Sequence, residues 1–162
     1  MGELPANQLN PKIKNVWRIS DAIWIALSYL CCAVPFAIAL LLSPAKWILG
    51  VVAAETLVLV LLLVVFLVVL PPIRYARWRY EVSPEFLDIA KGIIWRRRYI
   101  VPFIRVQNTD TKQGPIMRAF GLASVTVSTA AGEHVIPGLS FEEAEALRDK
   151  AAELARIAKE DV

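Results

Sequence analysis

The sequence predicts an α+β membrane protein: a two-helix transmembrane hairpin, then a small, partly open β-barrel capped by a C-terminal α-helix. Three observations carry this. Residues 22–42 and 47–73 are long apolar runs, the first without charge and the second with Glu55 alone. Beyond residue 73 the composition returns to an ordinary mixture, and short stretches alternate apolar with polar residues. The chain then ends on an amphipathic stretch that opens with Ser140-Phe141-Glu142-Glu143, a helix-start signature.

The apolar runs set the domain plan. At 1.5 Å per residue, residues 22–42 reach roughly 31 Å, about the hydrocarbon thickness of a bilayer. The second run is longer, so it must tilt or end early. Apolar residues surround both helices, as lipid exposure requires. Ser43-Pro44-Ala45-Lys46 leaves room only for a tight turn, so the helices should pack antiparallel. The first run exceeds the apolar core of a secretory signal, and a substantial segment precedes it. The expected division is a tail at 1–19, a hairpin at 20–73 with spans 22–42 and 47–70, and a barrel domain at 74–162.

The N-terminal segment, with Pro5 and Pro11, reads as a mobile tail or extended lead-in. Trp17 and Trp24 suit the membrane interface. Pro35 should kink the first helix. Cys31 and Cys32 are adjacent on that helix and cannot form an ordinary bridge, so they read as small apolar fillers. In the second run Gly50, Ala53 and Ala54 permit close helix packing. Glu55 lies roughly 12 Å past Trp47 by helical rise. It either serves assembly or an ion path, or sits neutral or snorkelled near the interface. Pro71-Pro72 should close the second helix.

Flanking charge orients the hairpin. Lys12, Lys14 and Arg18 precede it, Arg74, Arg77 and Arg79 follow it, and the turn holds only Lys46. The positive-inside rule puts both termini in the cytoplasm, with the chain multi-pass in the cytoplasmic membrane.

Strands should follow. Trp78, Tyr80 and Val82 alternate with Arg77, Arg79 and Glu81. Residues 86–90, 93–101, 104–112, 123–130 and 134–137 read as further strands, separated by Ser83-Pro84-Glu85, Lys91-Gly92, Pro102, a short irregular or helical link at 116–120, and Ala131-Gly132-Glu133. A helix over 141–159 has acids in its first turn, bases in its last, and a stripe of Ala144, Leu147, Ala151, Leu154 and Ala158. Short strands followed by one helix suggest the barrel with its helical plug.

Within residues 104–132, IRVQNTDTKQGPIMRAFGLASVTVSTAAG, several features stand together. They are Arg105-Val106-Gln107, Gln113-Gly114, Arg118-Ala119-Phe120-Gly121-Leu122 and Thr129-Ala130, with Gly92 and Pro102 ahead of them. With two membrane helices before it, this pattern resembles the membrane-flanked bacterial PH-like domain family in its small two-helix form. The resemblance implies a PH-like barrel and interaction rather than catalysis. It also implies a homo-oligomer, or a complex with a larger related membrane protein carrying repeated copies of the domain. No lysine-rich first-loop signature is present, so inositol phosphate specificity is not carried over.

Candidate binding residues follow from charge. Residues 74–118 hold ten Lys/Arg against four Asp/Glu, a net of +6, while residues 119–162 hold four against eight, a net of −4. Basic residues beside a membrane point to anionic headgroups before nucleic acid. Arg74, Arg77 and Arg79 sit after the second span. Arg96 and Arg98 should share one strand face. Arg118 either ties down its loop or contacts a partner. The basic residues alternatively form only a solvated face. His134 is the one histidine, and no nucleophile elbow, phosphate loop or opposed carboxylate pair is evident, so no catalytic residue, metal or cofactor is expected. The role expected is an interaction or scaffold module on the bilayer. The alternative is a subunit of an oligomeric transporter or channel lined by its helices.

Overall fold

The computed structural model describes residues 5–42 and 46–160. The expected turn at Ser43-Pro44-Ala45 lies outside them. The chain forms two compact units, Trp17–Pro72 and a second made of Met1–Val16 with Ile73–Val162.

The first unit is helical. α1 spans Ile13–Leu42 and runs unbroken through Pro35. The second helix begins with α2, Lys46–Leu63, passes through a π-helical stretch at Val64–Val69, and continues as α3, Leu70–Arg77. Two helices, Ile13–Leu42 and Lys46–Arg77, are long and apolar enough to cross a membrane. Two hydrogen bonds join them. Tyr29 Oη and Thr56 Oγ1 lie 3.3 Å apart, and Arg18 Nε donates to the Leu67 carbonyl at 2.9 Å. The contacts are eleven residues apart on each helix and run in opposite directions, the mark of antiparallel packing. Eleven residues make about three turns, so both contacts use one face of each helix.

Pro71-Pro72 does not close the second helix, contrary to expectation, and the reason is local. In an α-helix the Leu67 carbonyl would accept from residue 71, and in a π-helix from residue 72. Both are prolines and have no N–H. The π stretch widens the ladder here, with the Leu70 N–H on Val65 O. Arg18 supplies the donor that the Leu67 carbonyl lacks. The helix therefore extends to Arg77, and Arg74 and Arg77 are helical instead of leading straight into a strand.

The second unit is the barrel. β1 (Arg79–Val82), β2 (Phe86–Lys91) and β3 (Arg97–Pro102) form one antiparallel sheet in that order. β4 (Val106–Lys112), β5 (Leu122–Thr129) and β6 (Gly132–Ser140) form the other. A 3₁₀ turn at Phe103–Arg105 links the sheets, and α4 (Pro115–Ala119) links β4 to β5. The core comprises Leu87, Ile89, Val101, Phe103, Val106, Leu122, Val125, Val127, Ile136 and Leu139. β5 is buried from Leu122 through Val127, so both of its faces are covered rather than one.

Some boundaries differ from the expectation. β3 starts at Arg97 because Gly92 (φ +119°) folds residues 93–96 into a loop, and a Cβ at Gly92 would collide with the Trp95 carbonyl oxygen. β4 starts at Val106, because residues 103–105 form a 3₁₀ turn closed by the Val106 N–H donating to the Phe103 carbonyl. β6 is longer than residues 134–137, reaching Ser140.

α5, Phe141–Glu160, starts at the expected box. The Ser140 N–H donates to Glu143 Oε2 (2.9 Å), and the Glu143 N–H donates to Ser140 Oγ (3.2 Å). α5 buries Ala144, Ala151 and Ala155.

The N-terminal lead-in is no mobile tail. Asn7 exchanges two backbone hydrogen bonds of 3.0 Å with Tyr80, extending the β1 edge. The Asn10 N–H donates to the Gly138 carbonyl at 2.8 Å. Leu9 and Ile13 are buried, Ile13 completely. Gly138 (φ +67°) leaves the space that Ile13 fills: a Cβ there would lie 2.6 Å from the Ile13 side chain. Lys14 Nζ sits 4.9 Å from the Tyr75 ring centroid. The barrel is thus completed by the residues leading into α1 and by the first turn of that helix.

Candidate membrane and partner interface

The arginines expected to act together divide into internal and outward-facing groups. Arg77, the last residue of α3, donates from its guanidinium to the Ile93 carbonyl and holds the base of the 93–96 loop. Arg79 opens β1, half-buried, and donates to the Trp78 carbonyl (3.4 Å). With the Gln8 amide turned to satisfy both groups, its oxygen also accepts from Arg79. Arg74 is exposed on α3.

Arg98 is committed to a neighbour. It grips the buried Asp88 carboxylate in a fork, with Nη2 at 2.6 Å from Oδ2 and Nε at 2.9 and 3.1 Å from the two oxygens. The pairing follows from register. Asp88 lies opposite Ile100 and Ala90 opposite Arg98, so Arg98 reaches diagonally along one face. These hydrogen bonds raise the guanidinium pKa further above its ordinary value. Arg96 is not on the strand, so it shares no strand face with Arg98. Arg96 and Arg97 are exposed and make no ion pair among the described residues. Arg118 ends α4, exposed, and its guanidinium has no hydrogen bond among the described residues. No contact joins it to the other arginines.

Ile94 and Trp95 escaped the sequence reading. They are 85% and 79% exposed, between Gly92 and the free arginines. The signal was available, since three consecutive apolar residues after Lys91-Gly92 break the alternation of a strand.

A groove of about 650 Å³ runs along the seam between the sheets. Val101 and Val106 form part of its buried floor, Ile100 and Ile104 stand exposed, and Arg105 and Lys159 add positive charge. Neither cation has an ion pair among the described residues. β3 and β4 are sheet edges here, in contrast to the β1 edge that Asn7 occupies. At one end His134 meets the Tyr99 ring, centroids 5.2 Å apart, and Lys91 Nζ lies 5.2 Å from the same ring. Burial, then the Lys91 charge, lowers the His134 pKa from its ordinary value. No group of three or more His, Cys, Asp or Glu side chains that could hold a metal ion occurs among the described residues.

In the other unit, Glu55 Oε2 is shielded and has no hydrogen-bond partner among the described residues. Thr56, beside it, bonds to Tyr29 and to the Val52 carbonyl.

A model of the family described as Bacterial PH domain matches residues 20–155. The chain belongs to this bacterial PH domain family. The match takes in most of α1, the whole of the second membrane-length helix and the barrel strands. This bacterial PH-domain protein is 41% identical over 165 residues, the full length of both chains, to UPF0699 transmembrane protein YdbS of Bacillus subtilis (strain 168). It is 26% identical over 91 residues to UPF0699 transmembrane protein YdbT of the same organism, which is 54% of this chain and 18% of that one. No solved structure matches.

Proposed function

We propose that this protein is a membrane-anchored PH-like interaction module, held at the inner leaflet of a bacterial cytoplasmic membrane with both termini cytoplasmic. It binds a partner protein, either further copies of itself or a larger membrane protein with related domains, and anionic headgroups assist. The carrying observation is the docking of residues 5–16 on strands formed after residue 73. This docking supports a two-span hairpin with both ends on one side of the bilayer. The bases Lys12, Lys14, Arg18, Arg74, Arg77 and Arg79 favour the cytoplasmic side. The apolar, cationic seam groove suits a protein segment bearing apolar and acidic groups. The partial likeness to a much longer relative supports a larger partner of related build.

Extraction in mild detergent and mass measurement of the intact assembly tests the reading. A species heavier than a single chain, from added copies or a larger related protein, is expected. A bare monomer would refute it. A reporter enzyme fused after Val162 should be active only in the cytoplasm.

Glu55 Oε2, without a hydrogen-bond partner among the described residues, favours a second reading in which several copies line an ion path. Glu55→Gln separates the two. Lost flux with intact assembly supports transport, and lost assembly supports the scaffold.

A further inference from the structure

We infer that the β2–β3 loop is a bilayer-inserting tip, with Ile94 and Trp95 entering the interfacial layer and Arg96 and Arg97 engaging anionic phosphates beside it. The inference rests on the membrane-anchored reading above and names which part of the barrel touches lipid.

Four observations carry it. First, Ile94 and Trp95 are adjacent and almost fully exposed, although the barrel core takes up most large apolar side chains of its strands. Isolated apolar residues on a surface are ordinary, but an adjacent isoleucine–tryptophan pair at a loop tip is a contact surface. Tryptophan, with an apolar body and one N–H donor, suits the headgroup level. Second, the exposure is built into the backbone. Gly92 at φ +119° makes the tight bend, and no side chain fits there against the Trp95 carbonyl. Third, Arg96 and Arg97 follow at once and have no acidic partner among the described residues, whereas Arg98 is neutralised by Asp88. Two unpaired guanidiniums beside an apolar tip are complementary to an anionic bilayer surface. Fourth, Arg77 binds the Ile93 carbonyl, tying the loop to the last residue of the helix that carries the second span. The tip is thus held to the residue at which the chain enters the barrel. A protein partner would also cover the tip, but the fourth observation favours lipid.

Spin labels placed one at a time test this in the full chain with Cys31→Ala and Cys32→Ala. The sites are Ile94→Cys, Val58→Cys in the second helix, and Ala131→Cys in the exposed β5–β6 turn. Protein is reconstituted in phosphatidylcholine vesicles with and without phosphatidylglycerol. Collision with oxygen, which concentrates in lipid, is compared with collision with a water-soluble nickel chelate. With phosphatidylglycerol present, positions 94 and 58 should favour oxygen and position 131 the chelate. In phosphatidylcholine alone the ratio at 94 should fall toward that at 131, and an unchanged ratio would overturn the arginine role. If 58 favours oxygen while 94 behaves like 131, the tip is aqueous and the inference fails, with the anchored reading intact. If 94 is shielded from both reagents, a protein contact covers it and the inference fails. If 58 itself favours the chelate, the anchored reading fails as well.

Discussion

Ile13 offers the sharpest test of how the barrel is completed. Its side chain is wholly buried and sits where Gly138 leaves no side chain of its own. Ile13→Ala removes the buried branched side chain but leaves the backbone contacts of Asn7 and Asn10. The space cannot close easily, because the wall opposite is β6 backbone at Gly138, anchored on either side by the pairing of Ile136 with Val125 and Leu139 with Ala123. Large-to-small changes of this kind cost about 2–5 kcal/mol, a large share of a small domain's stability. Each 1.4 kcal/mol is tenfold, so the lower figure raises the open population about thirtyfold. Hydrogen exchange followed by mass spectrometry, on protein in lipid nanodiscs, reads this directly. β5 and β6 amides should exchange about thirtyfold faster or more, while Lys12→Ala, at an exposed side chain, should change them little. Unchanged exchange in β5 and β6 would refute the claim that the lead-in and the first turn of α1 are part of the barrel.

Three further outcomes are expected. Arg18→Ala should destabilise the helical hairpin by about 1–3 kcal/mol, the cost of an orphaned carbonyl, and Pro71→Ala should remove most of that effect by restoring an N–H for Leu67, as unfolding in detergent would measure. Arg98→Gln should destabilise the barrel more than Arg97→Gln in urea titrations, because Asp88 stays buried, and Arg98→Lys should recover little because a lysine cannot form the fork. The lowered His134 pKa means that the unfolded chain takes up its proton first, so the barrel should keep full stability above about pH 6.5 and lose it as pH falls below that value, while His134→Gln flattens the dependence in thermal melts.

Elements with a strong repeating signal were legible in the sequence. The hairpin announced itself by length and lack of charge, and α5 by Ser140 and Glu143, whose reciprocal bonds form as the residue types require. The strands were legible from alternation and turn residues, but not their division into two three-stranded sheets. Apart from the 93–96 loop, whose signal was local, the main misses share one cause: each is decided by a distant partner. The Leu9–Ile13 segment has no periodicity, and its burial depends on Gly138 far along the chain. Pro71-Pro72 stops a helix only if nothing replaces the missing donors, and Arg18 does so for Leu67. At the candidate site the residue types were readable but their partners were not. Arg96 and Arg98 look alike in sequence, yet a buried aspartate claims one and leaves the other to solvent.

The chain's order of synthesis gives the split barrel a further meaning. The segment around Leu9 and Ile13 emerges first, but its docking sites at Tyr80 and Gly138 emerge only after the greasy hairpin. Under the anchored reading proposed above, closure waits until both rods have been threaded and their ends returned to one compartment. A molecule whose second rod failed to cross would leave its two halves on opposite sides of the lipid, with Ile13 unable to meet Gly138. Under that reading, barrel closure would report correct insertion, and a misthreaded copy would stay open to proteases.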